Sequence, residues 1–147
     1  MKNSKAVIIL CIFCISLFGC THDTKPPLGL NSHKELMPCP NSPNCVSSFE
    51  NNQAFIEPLD THLSSSPILK LKTCLKSFPR INIIEETQSY LRATAESSFF
   101  GFIDDLEFLL IDNRIYIRSA SRSGYYDFNV NRERIEAIRQ AYKRDCR

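Results

Sequence analysis

The apolar positions in the second half of the chain follow helical and strand-like periods, separated by polar turns. Between residues 67 and 79, apolar side chains recur on one helical face, at Ile68, Leu71, Leu75 and Phe78. The hydroxyl side chains of residues 64–66 suit the cap of this helix, Pro67 suits its first turn, and Pro79 ends it. The pattern therefore predicts one amphipathic helix that finishes before Pro79.

Four strand-like runs follow this helix. They are rich in β-branched residues or alternate apolar with polar side chains, and they cover Ile81–Thr87, Tyr90–Glu96, Leu106–Ile111 and Arg114–Ser121. Asp112 and Asn113 join the last two runs and tolerate the positive φ of a tight hairpin turn. That turn fixes a register in which the opposed pairs are Phe108 with Ile117, Leu110 with Ile115 and Asp104 with Ser121 on one face, and Glu107 with Arg118 on the other.

A last helix is predicted from Arg132 to Arg144, because Ile135, Ile138, Ala141 and Tyr142 share one face. We expect Asn131 to cap it, with Val130 and Ile135 as a hydrophobic staple. The order of helix, four strands and helix predicts a single small α+β domain. Its four-stranded antiparallel sheet should carry both helices on one face.

The N-terminus has the composition of an export signal. Lys2 and Lys5 precede an apolar run from Ala6 to Phe18, which is too short to span a bilayer and ends at Gly19-Cys20. Leu17-Phe18-Gly19-Cys20 resembles a bacterial lipobox, which implies cleavage before Cys20 and acylation of its thiol and new amine. An ordinary signal peptide with a chance cysteine is the alternative.

This resemblance divides the chain into three segments. Residues 1–19 are expected to be a lipoprotein signal peptide, residues 20–37 a lipidated tether, and residues 38–147 the α+β domain. Two or three acyl chains, at about 0.8 kcal/mol per buried methylene, would anchor the domain stably. Thr21 resembles the residue that follows the cysteine in lipoproteins sent to an outer membrane. We therefore expect a lipid-anchored envelope protein, facing the periplasm from the outer membrane if the cell has two membranes.

The charge balance argues against a nucleic-acid partner. The chain has 18 basic and 16 acidic side chains, and removal of the signal removes Lys2 and Lys5 and no acid. The mature chain then has no net charge, whereas a nucleic-acid-binding domain needs a clear basic excess. The membrane, an envelope protein or a small polar ligand are the expected partners.

The number of cysteines in the mature chain is consistent with export. Of seven cysteines, the signal removes two and the lipid takes Cys20, which leaves Cys39, Cys45, Cys74 and Cys146. An even number in an oxidising compartment favours two disulfides, with three connectivities. Cys39 and Cys45 bracket a turn-rich loop, so we favour that pair, with Cys74 joined to Cys146. Free buried thiols and a metal site are the alternatives, and no histidine lies at ligand spacing from the loop.

Three motifs together resemble one family. They are CPNSPNCVSS from Cys39, GFIDDLEF from Gly101 and RSASRSGYYDFNVNR from Arg118. In this order they resemble the domain of unknown function 1499 (DUF1499) family, over about Cys39 to Arg139. The family has no settled activity, so the resemblance implies an identity and no reaction.

The polar residues of these motifs admit three interpretations. The first is a structural network that fastens the loop 119–131 to the sheet, through Asp104, Asp105, Arg122, Asp127 and Arg132. The second is a site for a small polar or anionic ligand near the N-terminus of the last helix, with Ser121 and Arg122 as donors and Asn129 in the same loop. The third is catalysis by Asp104, Asp105, Glu107 and Asp127.

Alternation along the strand weighs against catalysis, because it places Asp105 and Glu107 on the face opposite Asp104. We expect Arg122, Arg132 or Arg139 to pair with Asp104. We therefore favour a binding or structural module with no catalytic residue, cofactor or metal. An enzyme acting on an envelope substrate through Asp104, Asp105 and Asp127 is the alternative. The apolar run Phe99–Ile103 is expected to fold into the core rather than to form an interaction patch.

The lipobox interpretation predicts the effect of replacing Cys20 with serine. Serine has no thiol to acylate, so the domain should be released as a soluble species or remain as the unprocessed precursor. Membrane fractionation and the mass of the N-terminal peptide measure this. Normal processing with membrane retention of Cys20→Ser would contradict the interpretation.

Overall fold

The protein forms one antiparallel sheet with two helices, seen in a computed structural model that describes residues 27–61, 64–97, 101–144 and 146. The predicted signal peptide and Cys20 lie outside these ranges. In chain order the elements are β1 (Cys45–Ser47), β2 (Leu59–Asp60), α1 (Pro67–Lys76), β3 (Ile81–Glu86), β4 (Tyr90–Glu96), β5 (Ile103–Ile111), β6 (Arg114–Ser121) and α2 (Val130–Lys143). Neither of these helices is long and apolar enough to cross a membrane.

The sheet has six strands, so the prediction of four was wrong in number. Its order is β1-β6-β5-β4-β3, with β2 pairing with the same edge of β6 as β1. The four predicted strands are all present, in antiparallel pairs. The other two strands were missed because β1 and β2 have only three and two residues, too few to show an alternating pattern.

The hairpin register is the one that the sequence predicts. Asp112 and Asn113 have φ values of 46° and 63°, the left-handed conformation that a two-residue turn requires. The predicted pairs Phe108 with Ile117, Leu110 with Ile115, Asp104 with Ser121 and Glu107 with Arg118 are therefore confirmed.

The helices agree with prediction except at the start of α2. The first helix begins at Pro67 and ends at Lys76. The second begins at Val130 with Asn129 as its N-cap, so the prediction of Asn131 as the cap was wrong. Val130 is then the first helical residue rather than the residue before a cap, and the predicted staple with Ile135 is not formed. Asn131 lies inside the first turn and is fully buried.

The main core lies between the sheet and both helices, which share one face as predicted. Leu71 and Leu75 of α1 pack in the same buried cluster as Ile135 and Ile138 of α2. The sheet contributes to this cluster the side chains of Leu91, Leu106, Phe108, Ile115 and Ile117. We call this side of the sheet the helix face.

Residues 27–37, which we call the N-terminal strap, lie on the opposite face. Leu36 is buried there in a second cluster with Tyr90 and Leu109. The Gly29 N–H donates to Glu107 Oε1 at 2.6 Å. The sequence places these residues in an extended tether, but the structure packs them on the sheet. The physical reason is that this face carries apolar side chains and a buried carboxylate, which require cover.

The cysteines take the favoured pairing. Cys39 is bonded to Cys45 with Cα atoms 5.7 Å apart, and Cys74 to Cys146 with Cα atoms 4.9 Å apart. The first bond closes the loop before β1. The second joins α1 to the chain beyond α2, across a sequence separation of 72 residues.

The packed strap predicts that Leu36→Ala destabilises the domain. Truncation of a fully buried leucine costs about 2–5 kcal/mol, which urea denaturation of the purified chain measures. Leu69→Ala is the matched control, since Leu69 is exposed on α1. If residues 27–37 were a free tether, the two variants would have the same free energy of unfolding.

Candidate functional site

A groove of about 520 Å³ opens on the helix face, where α1 ends and α2 begins. The ends of β4 and β6 and the loop 122–129 border it. Its volume falls in the range of small-molecule sites, about 300–1,000 Å³. Most of its wall is apolar, and the aromatic and aliphatic side chains there are Phe78, Ile81, Ala95, Phe102, Tyr126, Phe128 and Val130.

The loop 122–129 forms one wall because its backbone turns sharply into α2. Phe128 and Asn129 have consecutive positive φ values of 54° and 66°. These values are uncommon for residues other than glycine, and for phenylalanine in particular. The turn leaves the Phe128 ring exposed and in edge contact with Tyr126, with ring centroids 5.0 Å apart.

An ion pair lies at the groove. Arg134 Nη2 of α2 donates to Asp104 Oδ2 of β5 at 2.7 Å, and both side chains are largely buried. The expectation that Arg122, Arg132 or Arg139 would pair with Asp104 was wrong. Arg134 lies one turn into α2 and reaches Asp104 at the start of β5.

Asn131 is the centre of the polar network and was missed as such by the sequence analysis. Its side-chain N–H groups donate to Asn44 O at 3.1 Å, Ser121 Oγ at 3.0 Å and Asp127 Oδ2 at 2.8 Å. Its Oδ1 accepts from the Ser119 hydroxyl and, at 3.2 Å, from Arg134 Nη1. One buried amide therefore links the loop before β1, strand β6, the loop 122–129 and α2.

Asp127 occupies the N-terminus of α2. Its carboxylate accepts the backbone N–H groups of Asn129 and Asn131, each at 3.1 Å. A negative charge is favourable at this end of a helix. The chain's own carboxylate therefore occupies the position at which an anionic ligand was expected, and it uses two of the backbone donors there.

The other expected donors are also engaged. Arg122 Nε and Nη2 hold the two oxygens of Asp105 at 2.7 and 2.8 Å, and Ser121 Oγ accepts from Asn131. The hydrogen bond to Asp105 raises the pKa of Arg122. Ser121 and Arg122 are thus already bonded within the chain, and their role as donors to a small polar or anionic ligand stays a prediction.

Asp105 and Glu107 lie on the face away from the groove, as alternation predicts. Glu107 accepts from Arg118 Nη1 at 3.0 Å and from the Tyr90 hydroxyl at 2.7 Å. Burial, followed by the hydrogen bond to Glu107, raises the pKa of Tyr90. Asp104, Asp105 and Asp127 therefore do not converge on one site. Among the described residues, no three His, Cys, Asp or Glu side chains are placed to hold a metal ion.

Two of the predicted network residues act elsewhere. Arg132 donates to the backbone oxygens of Phe55 and Gln53, at 2.9 and 2.7 Å, and so fixes the loop before β2 rather than the loop 119–131. Asn129 is the exposed left-handed N-cap of α2 and makes no side-chain cap bond. Of the predicted set, Asp104, Ser121 and Asp127 meet at the groove.

The expectation that Phe99–Ile103 folds into the core was wrong for the part that the structure describes. Phe102 is 50% exposed and Ile103 is 37% exposed. Phe99 and Phe100 lie outside the described residues. The apolar composition of this run was interpreted as core, whereas the structure places Phe102 in the wall of the groove.

A comparison with protein families identifies the family of this chain. The model of the protein of unknown function (DUF1499) family matches residues 35–142, well over half of the chain. The chain belongs to the DUF1499 family. No curated protein and no solved structure is significantly similar to it. The DUF1499 match includes Asn131, Arg134 and every element that borders the groove, and it leaves out residues 27–34 of the strap.

The network predicts that Asn131→Ala destabilises this DUF1499 domain by roughly 2–4 kcal/mol, because it leaves several buried polar groups without partners. Gln140→Ala is the matched control, since Gln140 is exposed on the same helix. Denaturant unfolding followed by circular dichroism measures both. Equal stability of the two variants would show that the network does not hold α2 in place.

Proposed function

We propose that the chain is a lipid-anchored binding module of the cell envelope, whose groove takes the apolar part of an amphipathic small molecule. The observation that carries this proposal is the groove itself. Most of its exposed wall is aromatic and aliphatic, and the polar and charged residues along it are Arg80, Glu96, Ser97, Asp104, Ser121, Ser123, Asp127 and Arg134. This combination is typical of small-molecule sites.

The chemistry of the polar groups supports an amphipathic ligand rather than a free ion. Asp104 and Arg134 neutralise each other, and Asp127 is bonded to the first turn of α2. Arg80 and Glu96 also line the groove, so its charged residues are two basic and three acidic side chains and nearly balance. A ligand gains chiefly by covering apolar wall, while the exposed Ser123 offers a hydroxyl donor to a polar head.

The envelope location is supported by the sequence and by the sulfur chemistry. The lipobox-like Leu17–Cys20 segment implies export and acylation. Two cysteine pairs bridge the domain, and disulfides persist in oxidising compartments such as the periplasm. An enzyme that uses Asp104, Asp105 and Asp127 together is not favoured, because Asp105 faces the other side of the sheet and is held by Arg122.

The groove predicts binding of a fluorescent long-chain fatty acid to the purified full chain. Phe102→Ser should weaken this binding about tenfold, because losing much of one aromatic contact costs about 1.4 kcal/mol. Leu69→Ser is the control, since it removes an exposed apolar side chain outside the groove. Fluorescence titration measures the affinity. No saturable binding, or equal affinity of both variants and the parent chain, would refute the proposed ligand class.

A further inference from the structure

The mouth of the groove carries an unusual set of exposed aromatic side chains. Phe128 is 80% exposed, Tyr125 is 75% exposed, and Tyr126 and Phe102 are about half exposed. Phe102, Tyr126 and Phe128 all border the groove, and Tyr125 adjoins them in the loop 122–129. We call these four residues the aromatic rim. Large exposed apolar patches on a small domain mark interaction surfaces.

We propose that the aromatic rim contacts the lipid bilayer to which the chain is anchored, so that the groove opens toward the membrane. This inference rests on the lipid anchor of the proposed function. The side-chain chemistry suits the polar–apolar boundary of a bilayer, where tyrosine keeps its hydroxyl hydrated while its ring and that of phenylalanine are covered.

The position of the strap makes this contact reachable. Leu28 lies beside the β3–β4 turn and the first residues of β4, from Thr87 to Arg92, whereas Glu96 at the far end of β4 borders the groove. The distance from Tyr90 to Glu96 along the strand is about 20 Å, and the strap and the groove lie on opposite faces of the sheet, about 10 Å apart. A fully extended chain from Cys20 to Pro27 spans at most about 25 Å. Because the distances along and across the sheet combine to about 22 Å, a bilayer surface at the rim lies within reach of an acyl group on Cys20 when the tether is nearly fully extended.

The charges near the rim allow this approach. From Ser123 to Val130 the one ionisable acid is Asp127, and its carboxylate is bonded into the first turn of α2. The rim can therefore enter the interface without stripping water from an unpaired acid in this loop. Because the anchor keeps the domain at a high local concentration near the bilayer, a weak contact by the rim is sufficient.

The chain contains no tryptophan, so a single introduced tryptophan reports on one position. We would reconstitute the full lipidated chain in phosphatidylcholine vesicles with brominated acyl chains, which quench tryptophan at close range. The test variant is Phe128→Trp in the rim. The matched control is Leu69→Trp, because Leu69 is 58% exposed on α1, away from the groove.

We expect severalfold stronger quenching, and a blue shift of the emission, for Phe128→Trp than for Leu69→Trp. Equal quenching of both variants, or quenching of neither, would overturn the inference. A blue shift of Phe128→Trp that depends on protein concentration without vesicles would assign the rim to a second copy of the chain, and would also overturn it.

The anchor is tested separately, by the mass of the N-terminal peptide. If Cys20 carries no fatty acid, the anchor of the proposed function fails, and the same vesicles are added to the unlipidated chain. Selective quenching of Phe128→Trp would then still support a membrane-contacting rim, and its absence would overturn it. The fatty-acid titration of Phe102→Ser reports on the groove independently of both results.

Discussion

The buried amide of Asn131 is the interaction on which the candidate site depends. It binds groups from the loop before β1, from β6, from the loop 122–129 and from α2, and each of these segments borders the groove or supports its wall. A buried polar network of this kind fixes one arrangement, because any displacement leaves a donor or acceptor without a partner. The start of α2, and with it the position of Phe128 and Arg134, therefore follows from one side chain.

The sheet keeps its charged groups apart by alternation. Asp104 faces the helices and pairs with Arg134, whereas Asp105 and Glu107 face the other side and pair with Arg122 and Arg118. Buried ion pairs contribute little net stability, but breaking one leaves an uncompensated charge and is costly. These ion pairs are therefore better understood as determining which face of the sheet packs against the helices and which face packs against the strap. A mechanism that needs neighbouring acids cannot use Asp104 with Asp105.

The features of the fold that could be predicted from the sequence are those that hydrophobic periodicity and turn-forming residues determine. The long strands, both helices and the register around Asp112 and Asn113 follow from local patterns, and all agree with the structure. Asn131 was taken for a helix cap because an asparagine before a helical pattern is typical of one. Its role depends on Asn44 and Ser119, which are distant in sequence, so no local pattern predicts it. Arg134 was missed for the same reason.

The N-terminal strap is the clearest case in which amino-acid composition leads to a wrong structural prediction. Its packing also bears on the proposed function. Prolines, a glycine and polar residues between positions 20 and 37 are typical of a tether, and fully extended they would reach about 60 Å. Packing from Pro27 onward leaves at most residues 20–26 to act as the proposed tether, a length of about 25 Å when fully extended. In the proposed arrangement, this shorter tether restricts the domain to orientations in which one end of the sheet stays near the bilayer. The groove and its aromatic rim lie at the end of β4 opposite residues 28–30 of the strap, so the proposed contact with the bilayer requires this tether to be nearly fully extended.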